Sequence, residues 1–445
     1  MMAPHLLHIV MFAFPFDDHV GQLYALARAL ASAVPEATFS FVSTNETIIS
    51  LPRVAENLHC IPFEDGVPDL GPSARVIERI LYVAPEKIKK TLKKAVASAG
   101  GLPVTCVLSD AFVWPTESVA EEMRLPWIAL FSGFPLAMLA HIHTGDLHDR
   151  FGVEEQVMPA LAEEPLDFIP GLAAMRICDL PVGILFGGTT TDYALHFNGM
   201  GNSLLRAAAV VVPTLAGFDH EQYSTMFAKL KKGLLIGPLN LVSPLLPCQD
   251  REGCIRWLSH RPAHSVAYIS FGTVVTLPGD ELAEFARGLE DTQVRFLWFL
   301  KSEHRSWLPE GFEERTWSRG KLVSWVPQLP VLCHPAVAVF VTNCGWSSAL
   351  ESISAGVPML CRPIFGDQRM VARALEEIWG AGTELDEPIT RISFMAAMEG
   401  IMKGTDGKRM RKRAQKLRER TREAMLPGGR LSENFNALVE FVRRC

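Results

Sequence analysis

Leu6-Leu7-His8-Ile9-Val10-Met11-Phe12, then Gln22 to Val34, then Thr38-Phe39-Ser40-Phe41-Val42 are the three runs whose reading decides the fold. The outer two are short, apolar and rich in β-branched and aromatic residues, which marks buried strands. The middle run sets Leu23, Leu26, Ala27 and Leu30 at helical spacing. Strand, helix, strand is the unit of a parallel α/β sheet. The alternation continues with strand-like runs at Val104–Leu108, Trp127–Phe131 and Ala209–Val212. It resumes at Ser265–Phe271, Arg295–Leu300, Leu322–Trp325, Val337–Val341 and Pro358–Cys361, with helical stretches at Asp280–Glu290, Ser348–Ser354 and Gln368–Trp379 among them.

Ile236–Glu252, rich in Pro, Leu and Gly and without a clean period, separates the two series as a linker. The expectation is an α/β protein of two doubly wound parallel-sheet domains, 1–240 and 253–427. In such sheets ligands bind outside the carboxyl ends of the strands, which puts the expected catalytic cleft between the domains. The length of 445 residues agrees with two domains of roughly 200 each.

Composition narrows the class. With 48% hydrophobic residues, 21% charged and a net charge of −6 spread along the chain, nothing calls for a nucleic-acid or anionic-membrane partner. The basic stretch from Lys408 to Arg422 alternates with apolar residues and reads as the wet face of a helix. Nine cysteines are scattered with no C-x-x-C pair, as in a protein with reduced thiols and no structural zinc. Leu6 to Phe16 is broken by His8 and Pro15, so it fits a first strand better than a signal peptide. No run of about 18 apolar residues is present to span a bilayer. The expectation is a cytoplasmic monomer.

Chemistry enters with His19 and Asp110. His19 follows the first strand where the chain turns into a helix, a place suited to a general base, and imidazole removes protons near neutral pH. The plain alternative is a polar residue near a helix start. Asp110 ends a buried strand, and a carboxylate beside an imidazole fixes its tautomer and stabilises its cation. The alternative for Asp110 is an N-cap for the helix near Pro115–Glu122.

In the second half, Trp325-Val326-Pro327-Gln328 follows a strand, Asn343-Cys344-Gly345-Trp346-Ser347-Ser348 leads into a helix, and Phe365-Gly366-Asp367-Gln368 opens another. A helix N-terminus preceded by glycine suits a diphosphate. Trp325 offers a flat face for a base, and Asp367 and Gln368 offer hydrogen bonds to sugar hydroxyls. Each has a structural alternative: Ser348 and Glu351 have capping-box spacing, Asp367 is a candidate N-cap, and Trp325 is a candidate core residue.

Residues 325–368 resemble the donor-binding signature of plant secondary-product UDP-dependent glycosyltransferases, with Trp325, Pro327, Gln328, His334, Cys344-Gly345-Trp346, Glu351-Ser352, Gly356-Val357-Pro358 and Asp367-Gln368 in register. Ser109-Asp110-Ala111-Phe112, Phe168-Ile169-Pro170-Gly171-Leu172 and Ser270-Phe271-Gly272-Thr273 are most similar to the flavonoid and anthocyanidin 3-O-glucosyltransferase branch. The resemblance implies a GT-B fold of two Rossmann-like domains, with the acceptor in the first, the donor in the second and the last helix (428–445) returning to the first. It implies His19 as base and Asp110 as its partner, Trp325 on uracil with the Val326 backbone at its edge, and Gln328 and Glu351 among the donor contacts, Glu351 on the ribose. It implies Thr273, Asn343, Ser347 and Ser348 at the diphosphate, Trp346, Asp367, Gln368 and Ser132 at the sugar, and His141 at the acceptor.

The implied reaction is inverting transfer of glucose from UDP-glucose to a hydroxyl, the 3-OH, of a flavonol or anthocyanidin. It needs no cofactor and no metal, the nucleotide sugar being a co-substrate, and no Asp-x-Asp motif occurs. Two positions depart from the signature: Asn343 replaces its histidine and Ser347 its asparagine. A neutral bond in place of a charge-assisted one costs about 1 kcal/mol. The departures leave open another donor (rhamnose, galactose or a pentose), another phenolic acceptor, or a protein that binds without turnover. Asp17 and Asp18 also stand where this branch has small neutral residues, and Gln22 where many relatives have proline. An acid close to the imidazole would favour its protonated form.

Overall fold

The computed structural model describes residues 7–15, 17–52, 55–63, 84–152, 161–243, 249–274 and 276–445, apart from the side chain of Asp17. Leu6 and the middle of the expected linker (244–248) lie outside the described residues. The chain divides into a unit of Met1–Leu245 with Glu423–Cys445, and a unit of Leu246–Arg422.

In the first unit the strands are β1 (His8–Phe12), β2 (Thr38–Ser43), β3 (Leu58–Pro62), β4 (Cys106–Asp110), β5 (Trp127–Leu130), β6 (Ala209–Pro213) and β7 (Gly233–Ile236). They form a parallel sheet in the order β3-β2-β1-β4-β5-β6-β7. All five residues of β1, β4 and β6 are buried, as expected of strands covered on both faces. Ile9, Met11, Phe39 and Phe41 pack with Leu23, Leu26 and Leu30 of the first helix. Leu438, Val439 and Val442 of the last helix, Arg430–Arg443, complete the same core. Asn434 of that helix donates to the Leu235 carbonyl of β7 at 2.8 Å. The first helix runs Asp17–Ala33, so it begins before the apolar stripe that announces it, and His19 lies in its first turn.

The second unit holds β8 (Val266–Ser270), β9 (Arg295–Phe299), β10 (Gly320–Val323), β11 (Val337–Thr342), β12 (Met359–Cys361) and β13 (Gly382–Glu384), again parallel, in the order β10-β9-β8-β11-β12-β13. Ile269, Phe285, Trp298, Val339, Leu360 and Phe394 fill its core. The helix expected over Gln368–Trp379 is α-helical only to Arg373. Ala374–Ile378 is a π-turn, closed by the Trp379 amide on the Ala374 carbonyl.

Strand order reverses between β1 and β4 in one sheet and between β8 and β11 in the other. These two switch points are where a doubly wound sheet opens a crevice at its carboxyl edge. Among the described residues no helix is long and apolar enough to cross a membrane.

Candidate active site

His19 and Asp110 meet at the first switch point. Phe12, the last residue of β1, pairs in register with Ser109 of β4, so the chain leaving β1 and the end of β4 emerge side by side. His19 Nδ1 lies 2.8 Å from Asp110 Oδ2, with the carboxylate fully buried and the imidazole 19% exposed. The other oxygen, Oδ1, accepts the Phe112 amide at 2.9 Å and caps the short helix Ala111–Val113. The expected cap is not made: Trp114 is the N-cap of the helix Pro115–Glu122, and Asp110 caps the short turn before it while pairing with His19. A carboxylate facing Nδ1 fixes the proton there and makes Nε2 the basic nitrogen. Asp18 is exposed.

Ser132 joins this pair. Its hydroxyl lies 2.8 Å from His19 Nδ1 and donates to Asp110 Oδ2 at 3.2 Å. Gln22, one turn beyond His19, donates to the Ser132 carbonyl at 3.1 Å, which ties the helix to the loop after β5.

Aromatic rings extend from the imidazole. Phe14 and Phe112 pack on His19 at 5.2 and 4.6 Å, Phe197 meets Phe112 at 4.9 Å, and His141 stacks on Phe197 at 5.5 Å. Buried His141 has no hydrogen-bond partner for Nδ1 among the described residues, and burial pulls its pKa down to about 4. His196 is likewise lowered to about 4 by burial, its Nε2 held at 2.9 Å by the Phe112 carbonyl. Phe197 and His196 carry no signal in the sequence, and Phe112 is marked only as part of the Ser109–Phe112 motif. Phe112 lies two residues after Asp110, whereas the helix Asp192–Leu204 carries no motif that marks its inner face.

The second switch point gathers the other candidates. Asn343 follows β11 and is buried, and its amide nitrogen lies where a Cβ on Gly272 would come within 3.0 Å. Gly272, at φ +87°, and exposed Thr273 form the turn after β8. Cys344 takes φ 64°, rare for a residue with a side chain, and its amide donates to Thr342 Oγ1 at 3.2 Å. That turn delivers Gly345 as N-cap of the helix Trp346–Ala355, with no side chain closing the first turn. Ser347 and Ser348 lie in that turn, both half-buried. The Trp346 ring is in the core, stacked at 6.2 Å on Trp379, so only its backbone can face a ligand.

Because the helix starts at Trp346, Ser348 and Glu351 do not form a capping box. Both accept from Gln328 Nε2, each at 3.0 Å. Half-buried Trp325 is not a core residue; Val326 beside it is half-buried too, and the Arg251 guanidinium covers the Trp325 ring at 5.5 Å. The linker residue Glu252 accepts the Ser324 amide at 3.0 Å, so Arg251 and Glu252 brace the platform. Asp367 is at the N-cap of Gln368–Arg373 without a side-chain cap bond. Gln368 is buried, its carbonyl accepting the Ile364 and Phe365 amides at 2.8 and 3.1 Å, which turns its amide nitrogen away from that loop. Among the described residues no three His, Cys, Asp or Glu side chains converge as a metal-binding group.

Residues 22–417 match the family model of the UDP-glucoronosyl and UDP-glucosyl transferases. The chain belongs to this family. It is a glycosyltransferase, and its two parallel Rossmann-like sheets are those of the GT-B fold. The transferase is 44% identical to a myricetin 3-O-rhamnosyltransferase of Crocosmia x crocosmiiflora, over 98% of each chain. It is 39% identical to a flavonol 3-O-glucosyltransferase of Arabidopsis thaliana, over 98% of this chain and 97% of that one. Its fold superposes on the crystal structure of a UDP-glucose: anthocyanidin 3-O-glucosyltransferase in complex with UDP, with a TM-score of 0.92 and 35% identity over the whole of both chains.

Proposed function

We propose that this transferase moves glucose from UDP-glucose to the 3-hydroxyl of a flavonol or anthocyanidin, with inversion at the anomeric carbon. The observation that carries the reading is the 2.8 Å bond between His19 and buried Asp110, set against the rings of Phe14 and Phe112. A base flanked by flat apolar rings suits a planar phenol. His19 Nε2 takes the acceptor proton as the hydroxyl oxygen forms its bond to the anomeric carbon. The bond from that carbon to the diphosphate breaks, and UDP leaves with its electron pair.

The donor is read onto Trp325 and Val326 for the base, Glu351 for the ribose with Gln328 beside it, Thr273, Asn343, Ser347 and Ser348 for the diphosphate, and Asp367, Gln368 and the Trp346 backbone for the sugar. His141 serves the acceptor, and Ser132, beside His19, serves the sugar. The helix end at Gly345 and neutral donors offset the diphosphate charge, so the reading asks for no resident metal. The protein is read as a cytoplasmic monomer.

A second donor, UDP-rhamnose, is favoured by one finding, the 44% identity to a rhamnosyltransferase. The test offers quercetin, kaempferol and cyanidin with UDP-glucose, UDP-galactose and UDP-rhamnose, and reads products by mass spectrometry. A 3-O-glucoside lost in His19→Ala supports the first reading, a rhamnoside lost in the same variant supports the second, and UDP binding without product overturns both.

A further inference from the structure

We propose that Tyr268, in the middle of β8, is a positioning residue of the donor site that sets the orientation of the Gln328 amide and, through it, of Glu351. The proposal rests on the reading of Glu351 as a ribose contact.

Tyr268 is fully buried, and its ring stacks on Phe340 of β11 at 4.8 Å and 10°. Its hydroxyl donates to Gln328 Oε1 at 2.9 Å. Burial pushes the phenol well above its ordinary range, so the hydroxyl keeps its proton at any working pH. On its other side the Gln328 amide donates from Nε2 to Ser348 Oγ and to Glu351 Oε2, both at 3.0 Å.

An amide has one donating and one accepting end, and rotation by half a turn exchanges them. Glu351 is a carboxylate and accepts only, so the exchanged orientation would set Gln328 Oε1 against carboxylate oxygen. Glu351 thus decides which end of the amide faces it, and Tyr268 anchors the other end, holding Oε1 in place deep in the sheet. One hydroxyl on a central strand thereby fixes two side chains at the carboxyl edge, where β8 and β11 open. Tyr268 itself touches no substrate.

The test compares UDP with 2′-deoxy-UDP by calorimetry. Tyr268→Phe keeps the ring and its stacking while removing the hydroxyl. Its affinity for UDP is expected to fall about tenfold, the loss for one buried hydrogen bond. 2′-Deoxy-UDP should be affected little, so the preference between the two collapses, with kcat at saturating donor within about twofold of wild type. Glu351→Ala is the control for the underlying reading and should collapse the same preference.

Loss of the preference in Glu351→Ala but not in Tyr268→Phe overturns the positioning role and leaves the donor reading standing. Retention in Glu351→Ala overturns both. Should Tyr268→Phe fail to fold, Tyr268→4-fluorophenylalanine takes its place: it fills the space of the hydroxyl but cannot donate to Gln328 Oε1. Preserved discrimination there overturns the proposal, and its loss supports it.

Discussion

Asp110 divides its donors between its oxygens, the Phe112 amide on Oδ1 and the His19 ring with the Ser132 hydroxyl on Oδ2, and this division predicts the outcome of a single-atom change. Asparagine has one accepting end. If Asp110→Asn keeps that end on the Phe112 amide, its NH2 faces Nδ1 and drives the imidazole proton to Nε2, the nitrogen that must be basic. Turnover is then expected to fall by about 10²–10⁴ with UDP affinity unchanged, measured by steady-state kinetics beside calorimetry. His141 supports a prediction of another kind. Its folded pKa of about 4 lies below the ordinary 6.5. The unfolded chain therefore takes up a proton first as pH falls, and stability is lost from about pH 6.5 down to 4. The slope is about 1.4 kcal/mol per pH unit for each such histidine. His141→Phe should flatten the fall in urea midpoint over that window by one histidine's share, leaving those of His196 and the other histidines that burial lowers.

At the scale of elements, the donor-side loop is held from below by a buried ion pair. Arg362, just after β12, reaches Glu281 of the helix Gly279–Thr292 at 2.7 and 3.0 Å, both side chains being buried. Glu281 also accepts the Ile389 amide at 2.9 Å. Arg362→Met strands that carboxylate and should cost about 3–5 kcal/mol, read from urea denaturation. The double variant Arg362→Met/Glu281→Gln should recover part of it. This anchor had no signal in the sequence, where Arg362 is one of many arginines. Most central strands were legible because burial on both faces leaves a continuous apolar run, as in Val337–Thr342. The strands that escaped notice, β3, β7 and β13, are all sheet edges. β7 and β13 are short, and β3, though as long as β1, has His59 and Pro62 exposed within its five residues, which breaks the pattern. His19 and Asp110 were legible because strand ends can be counted. The Ser348–Glu351 spacing misled because it fits a cap equally well, and the residue that decides between them, Gln328, lies 20 positions upstream of Ser348.

At the scale of the whole molecule, each unit has a core of its own, and the first is built from both ends of the chain. Leu438→Ala should cost that core about 2–5 kcal/mol. Hydrogen exchange read by mass spectrometry is expected to speed up in β1 and β7 while β8–β13 keep their protection. The same feature bears on how the protein is made. The last helix lies against β7, yet some 200 residues separate them in sequence. A ribosome adding about 5–20 residues per second needs roughly 10–40 s to cover that distance. During that interval the nascent first unit carries an uncovered apolar flank, while the whole of the second unit emerges and can fold as an insert. The newborn chain is thus exposed to chaperones and proteases until the helix Arg430–Arg443 clears the exit tunnel.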